Sequence, residues 1–305
     1  TPAIELITDA SGRVTGAIVE HAGTRRRIMA RRGVVLASGG FEWDRERLAR
    51  HFPGPVDFIA SPTGNSGDAH RMAEAAGAAL AHMDQANISS AIPSTYEGRP
   101  HGMALFFHGE ANAILVDRTG RRFVDELTFN LGEELDRRDP VTGGPVHLPA
   151  WLISDDRFLR KSPVIGWYLR RDAKWAVRAD TVAALASAIG VPGDALAATV
   201  ARFNEFCRRG RDEDFHRGGG GGGHHGGKDR RWGSGFEPIV APPFIAVPFS
   251  RSILATKGGP RTNERAAVLR PDGSIIDGLY CAGVAMANPI GTRAVGAGTT
   301  LGPNM

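Results

Sequence analysis

Residues 33–41 read Gly33-Val34-Val35-Leu36-Ala37-Ser38-Gly39-Gly40-Phe41. The apolar run is too short for a helix and is stopped by Ser-Gly-Gly. It suits a strand buried on both faces, as in a parallel sheet. Glycine directly after such a strand lets backbone come close to a ligand, and in open α/β sheets ligands bind at the carboxyl ends of the strands. Gly278-Leu279-Tyr280-Cys281-Ala282-Gly283-Val284-Ala285 repeats the pattern near the other end of the chain. Two such segments set the fold class as α/β.

The flanks agree with this reading. Upstream, Ile4–Ile7, Val14–Val19 and Arg25–Met29 are separated by turns at Asp9–Gly12 and Ala22-Gly23, which predicts an antiparallel meander. Downstream, Asp44 to His51 forms a short helix stopped by Pro53-Gly54-Pro55. After Asn65-Ser66-Gly67-Asp68, the residues Met72, Ala75, Ala76, Ala79 and Leu80 recur at helical spacing, with Asp68 in the first turn where its charge complements the helix N-terminus.

From about Asp84 the texture changes and strong periodicity is lost. Ala113–Val116, a turn at Asp117–Gly120 and Arg122–Val124 read as a hairpin. Asp180 is placed as the cap of a helix that stops at Gly190. A second helix starts at Pro192-Gly193-Asp194 and stops at Gly210, with Leu196, Val200, Phe203 and Cys207 on one face. Residues 218–227 hold eight glycines with His224 and His225, a flexible tract in which no further ligands stand at a metal-binding spacing. Strand texture returns at Phe244–Val247 and Ala267–Leu269. The expected organisation is a first domain formed by 1–84 and 244–305, with a second inserted at 85–243.

Composition bounds the function. A chain of 305 residues has room for about two domains at roughly 150 residues each. Apolar residues at 42% and charged residues at 23% describe a chain with a substantial core, which excludes disorder. The 40 glycines carry no collagen period. The two cysteines, Cys207 and Cys281, make no disulfide framework or Cys-x-x-Cys pair, so a reducing, cytoplasmic setting is expected. No apolar stretch reaches the length of a membrane span. The net charge of +4 includes five arginines between Thr24 and Arg32, but no aromatics interleave with them to stack bases, so nucleic acid is not an expected partner.

Four glycine-bearing segments then stand in order: 34–41, 65–78, 278–285 and 291–303. The second opens a helix whose free N–H groups suit an anion. Together they point to a large flat cofactor. With the intervening stretches Asn112–Glu126, Ala198–Gly218 and Thr256–Ala285, and the ending Gly296-Ala297-Gly298-Thr299-Thr300-Leu301-Gly302-Pro303, the whole chain resembles the FAD-dependent oxidoreductases that include fumarate reductase flavoproteins and 3-ketosteroid dehydrogenases.

The resemblance implies an incomplete Rossmann-like FAD-binding domain, an inserted capping domain and an active site between them. It implies that Ser38, Gly39 and Gly40 lie beside the FAD, with Asp68 at the nearby helix start. It places Gly283 near the ribityl chain, and Gly298, Thr300 and Leu301 against the pyrimidine end of the flavin. The family's opening Gly-x-Gly-x-x-Gly unit has no counterpart here, since Gly12, Gly16 and Gly23 punctuate hairpins. The chain is therefore expected to be a fragment, and the rival reading is a non-catalytic piece that holds no FAD alone and serves at most as an interaction module.

Departures from the family narrow the chemistry. No arginine follows Asp125–Asn130, and Leu254-Ala255 stand where fumarate reductases carry histidine, which argues against fumarate as substrate. Ala294 stands where ketosteroid dehydrogenases carry a tyrosine. Arg293 is the remaining catalytic candidate, to polarise or protonate a carbonyl or carboxylate substrate; its alternative is to neutralise the flavin or pair with a cap carboxylate. His101, His108 and Glu110 lie in a cap segment that faces the cleft or is structural, and Lys257 lies in the Thr256–Gly259 turn. The expected reaction passes a hydride between flavin and a carbon next to a carbonyl or carboxylate, with an unnamed electron acceptor and no metal.

Overall fold

The computed structural model describes residues 2–128, 130–217 and 235–290. In chain order the elements begin with strands β1 (Ala3–Thr8), β2 (Val14–His21), β3 (Thr24–Met29) and β4 (Val34–Leu36), then α1 (Arg45–His51), β5 (Phe58–Ile59), α2 (Asp68–Ala75), β6 (Leu80–Ala81) and β7 (Ala86–Ser89). There follow β8 (Ala91–Tyr96), β9 (Arg99–Ala104), β10 (Ile114–Val116), α3 (Leu131–Leu135), β11 (Ala150–Asp155), α4 (Arg157–Lys161), α5 (Pro163–Leu169) and β12 (Val177–Ala179). The last group is α6 (Val182–Ile189), α7 (Gly193–Arg209), β13 (Phe244–Phe249), β14 (Ser252–Thr256), β15 (Gly259–Pro260), β16 (Ala267–Leu269) and β17 (Ile275–Cys281).

Two compact units result. The first contains Thr1–Ile88, Pro93–Gly102 and Ile253–Met305; the second contains Ser89–Ile92 and Met103–Ser252.

In the first unit β1, β2 and β3 form the antiparallel meander, with Leu6 opposite Ala17 and Ile18 opposite Arg27. β3 carries the arginine run and is exposed along its whole length. A second sheet runs β16-β17-β4, in which β17 is antiparallel to β16 and parallel to β4. Its core joins Val14, Leu36, Met72, Val268, Leu279 and Cys281.

The structure corrects two expectations here. β4 is not buried on both faces: Leu36 belongs to the core and Val34 packs against it, but alternation turns Val35 outward, where it is 60% exposed. Ala79 and Leu80 do not extend α2. The helix ends at Ala75, Gly77 takes a left-handed φ of 83°, and Leu80 enters β6, which pairs with β15. Small residues at helical spacing outlasted the helix because the glycine ended it first.

The second unit is built on a four-stranded antiparallel sheet of order β10-β11-β13-β12. α6 and α7 supply Leu185, Leu196, Val200 and Phe203 to a core shared with Ile114, Ile153 and Ala246 of the sheet. Gly190 and Gly210 end these helices in the left-handed conformation, where the sequence put the stops. The cap of α6 is Thr181, whose hydroxyl accepts the Ala184 N–H at 3.1 Å, and not Asp180. β13, read from sequence as the start of the returning domain, pairs over six residues with β11 in the second unit. The hairpin at Ala113–Val124 reduces to one bridge between Val116 and Arg122, since β10 pairs with β11.

Among the described residues no helix is long and apolar enough to cross a membrane. No group of three or more His, Cys, Asp or Glu there is placed to hold a metal ion.

Candidate cofactor-binding site

β4 and β17 run parallel with Leu36 opposite Cys281, and one residue further the Ala282 N–H donates to the Leu36 carbonyl at 3.0 Å. The two glycine-bearing segments, more than half the chain apart in sequence, therefore leave the same edge of one sheet side by side. Gly39 and Gly283 both have left-handed φ, 84° and 72°. At Gly39 a Cβ would overlap the Asn65 side chain, whereas among the described residues nothing lies within 4 Å of a Cβ at Gly283. Ser38, just before Gly39, is exposed. Strand ends free of side chains, beside open space, suit a large planar nucleotide held by backbone N–H groups.

The α2 start joins this edge. The Gly67 N–H donates to the Gly40 carbonyl at 3.1 Å, and Gly67 is the cap residue immediately before Asp68. The Asp68 carboxylate is ion-paired with Arg71 one turn on. Ser38, Gly39, Gly40, Asp68 and Gly283 are thus gathered within the first unit. Arg293, Gly298, Thr300 and Leu301 lie outside the described residues, as do His224 and His225 of the glycine tract.

Beneath the strand-end turn lies a layer that sequence reasoning missed. Glu42, only 1% exposed, accepts the Thr256 N–H at 2.5 Å and the Thr256 hydroxyl at 3.2 Å on Oε1. Thr256 Oγ1 in turn accepts the Phe41 N–H at 3.0 Å. Burial pushes the Glu42 carboxyl above its usual range, against the hydrogen bonds from Thr256 and Asn65. His70 lies behind Phe41, ring centroids 5.1 Å apart, and its Nε2–H donates to the Gly258 carbonyl at 2.9 Å. Desolvation lowers its pKa, so it is a neutral ring with one defined tautomer. A charged residue directly after Gly-Gly-Phe was the available signal for Glu42.

Lys257 is buried; its N–H donates to the Gln85 carbonyl at 2.8 Å, and its carbonyl accepts the Asn288 N–H at 2.9 Å. The histidines separate. His101 belongs to the first unit, not to a cap segment, and its Nε2–H donates to the Ser61 carbonyl at 3.0 Å while the ring stacks on Trp43. Its neighbours in sequence return to the first unit because the 93–102 hairpin tip docks there. His108 sits in the second unit among Phe106, Phe107 and Phe249, and neither of its ring nitrogens has a hydrogen-bond partner among the described residues. Burial drives its pKa down to about 3, which keeps the ring neutral near neutral pH. Glu110 is half-buried, and desolvation raises its carboxyl.

A parallel strand pair whose glycine ends meet beside a helix start defines the nucleotide-binding class of α/β proteins. Residues 1–301 match the family described as FAD binding domain, and the chain belongs to that family. It is 36% identical over 295 residues to the 3-oxosteroid 1-dehydrogenase of Mycobacterium tuberculosis, covering 91% of this chain and 51% of that protein. It is 34% identical over 305 residues to the 4-oxocyclohexanecarboxylate 2-dehydrogenase of Sinomonas cyclohexanicum, covering 97% of this chain and 53% of the relative. The crystal structure of 3-ketosteroid delta1-dehydrogenase from Sterolibacterium denitrificans, in complex with 1,4-androstadiene-3,17-dione, superposes with a TM-score of 0.84 at 32% identity, covering all of this chain and 57% of that one. The chain spans about half the length of the curated relatives it matches.

Proposed function

We propose that the protein is an FAD-dependent oxidoreductase of ketosteroid-dehydrogenase type, acting on a carbon–carbon bond near a carbonyl or carboxylate. The observation that carries the reading is the meeting of Ser38–Gly40 with Gly283 at one sheet edge. The relatives support it, since both named activities pair an oxo compound with a dehydrogenase.

FAD, when bound, supplies hydride transfer. Ser38, Gly39, Gly40 and Gly283 would hold it through backbone, and the α2 start with Asp68 would shape the neighbouring turn. Gly298, Thr300 and Leu301 belong to the same reading on sequence grounds. Arg293 would bind or protonate the substrate oxygen. The capping domain is proposed to be the second unit, Ser89–Ile92 with Met103–Ser252, and the compartment to be cytoplasmic, with Cys207 and Cys281 both free. The second reading is a chain that holds no FAD by itself; the half-length coverage of the relatives favours it.

The visible spectrum of the purified chain, prepared with FAD supplied, tests both. Oxidised-flavin bands that bleach with dithionite support the oxidoreductase reading, and cyclic oxo compounds are then screened by flavin reduction. A colourless protein supports the second.

A further inference from the structure

We propose that Glu42 is a positioning residue for the cofactor turn: acting through Thr256, its buried carboxyl holds the Ser38–Phe41 backbone in the shape that takes the FAD. The inference rests on the functional reading above and assigns a part to a residue that does not itself meet the cofactor.

A carboxyl this deeply buried is costly unless its hydrogen bonds do something an apolar side chain of the same size could not. Here Thr256 supplies two of them, beside a contribution from the Asn65 side chain. Oε1 takes both the N–H and the hydroxyl of Thr256, while Oε2 is buried with no partner among the described residues. The Thr256 hydroxyl, by donating to Glu42, is oriented to accept from the Phe41 N–H. The order Phe41 N–H, Thr256 hydroxyl, Glu42 Oε1 is a relay with a fixed direction, and it needs a carboxyl or amide oxygen at its end. Gly40 sits directly on this relay: a Cβ there would overlap Thr256 Oγ1 and Glu42 Oε1. On the other side the Gly40 carbonyl is fixed by the Gly67 N–H. The strand-end turn is thus clamped between the α2 start and the Glu42–Thr256 pair, and the exposed Ser38 beside half-buried Gly39 is the side left for the ligand.

The test uses the 305-residue chain with Glu42→Leu, Glu42→Gln, Thr256→Val and Thr256→Ser, FAD titrated by quenching of its fluorescence. Amide hydrogen exchange is read at Phe41 and Thr256 without cofactor. Glu42→Leu keeps the volume and removes the acceptor, and Thr256→Val removes the relay. Each is expected to weaken FAD by about tenfold or more and to lose exchange protection at Phe41, beyond what any fall in the unfolding midpoint accounts for. Glu42→Gln and Thr256→Ser keep the acceptor and the hydroxyl, and are expected to stay within about threefold of wild type. Wild-type FAD affinity in Glu42→Leu, or an equal loss in Glu42→Gln and Glu42→Leu, overturns the proposal. If the wild-type chain takes up no FAD, it is the functional reading for this chain that fails. The exchange arm then still decides the hold: protection lost at Phe41 in Glu42→Leu but kept in Glu42→Gln supports it, and equal protection overturns it.

Discussion

Glu126 and Arg217, 91 residues apart in the chain, meet inside the second unit at 3.3 Å with both side chains buried. Glu126 also takes the Leu115 N–H at 3.0 Å and a two-pronged contact from Arg122 at 2.9 and 2.7 Å, and Arg122 reaches on to Asp212 at 3.0 Å. Two arginines and two carboxylates thus tie the β10–Arg122 segment to the chain that leaves α7.

Removing one carboxylate from this network leaves a buried positive charge without compensation. Glu126→Ala is expected to cost about 3–5 kcal/mol in urea unfolding. Glu46→Ala, whose partner Arg50 is i,i+4 on an exposed face of α1, is expected to cost at most about 0.5 kcal/mol. Equal costs would mean that the buried network is no more than a surface pair in effect.

His108 gives the second unit a dependence on pH. Its folded pKa of about 3 lies below the usual 6.5, so the unfolded chain binds the proton first as pH falls. The stability that the neutral ring contributes is present above pH 6.5 and is lost progressively down to about 3. Between pH 6.5 and 5 the loss is about 1.6 kcal/mol, the slope steepening toward 1.36 kcal/mol per unit below pH 6.5. His108→Phe suits the aromatic surroundings and is expected to flatten that slope, checked by denaturant midpoints at pH 7.5 and 5.0.

Gly40→Ala is expected to destabilise the first unit by about 1–3 kcal/mol, because the added methyl enters space held by Thr256 and Glu42. The check is the thermal midpoint of the cofactor-free protein. An unchanged midpoint would show that the turn relaxes freely.

Gly283→Ala separates room from conformation. Among the described residues nothing lies within reach of the new methyl, so the stability cost is that of a left-handed alanine, about 1 kcal/mol. FAD binding, measured by flavin fluorescence, is expected to fall more than stability does, since the open space over Gly283 is what the cofactor would fill.

Several elements were legible because local chemistry settled them. The meander follows from alternation and turn glycines, and α6 and α7 from apolar spacing with a glycine at each stop. The strand-end glycines were legible for the same reason. What stayed hidden was decided by distant partners. β11 is the second strand of the larger sheet, yet Ala150-Trp151-Leu152-Ile153 has no periodicity that tells a strand from a buried helix segment. β13 had the right type and the wrong unit, because its six partners on β11 lie some ninety residues upstream. Glu42 was hidden because a carboxylate in sequence gives no sign of burial; Thr256, over two hundred residues away, is what makes it an interior group.

The division of the chain also bears on how it is made. The second unit is almost one continuous stretch, Met103–Ser252, and its sheet is complete once β13 has been synthesised. The first unit is in three pieces, and β4 gains its parallel neighbour only when β17 emerges, some 240 residues later. At 5–20 residues per second, the Val34–Leu36 strand waits roughly 10–50 s for that neighbour. During this interval its open edge and the outward Val35 are available to other chains or to a chaperone. Yield in expression should therefore depend on elongation rate and holding capacity more than on the final stability of either unit.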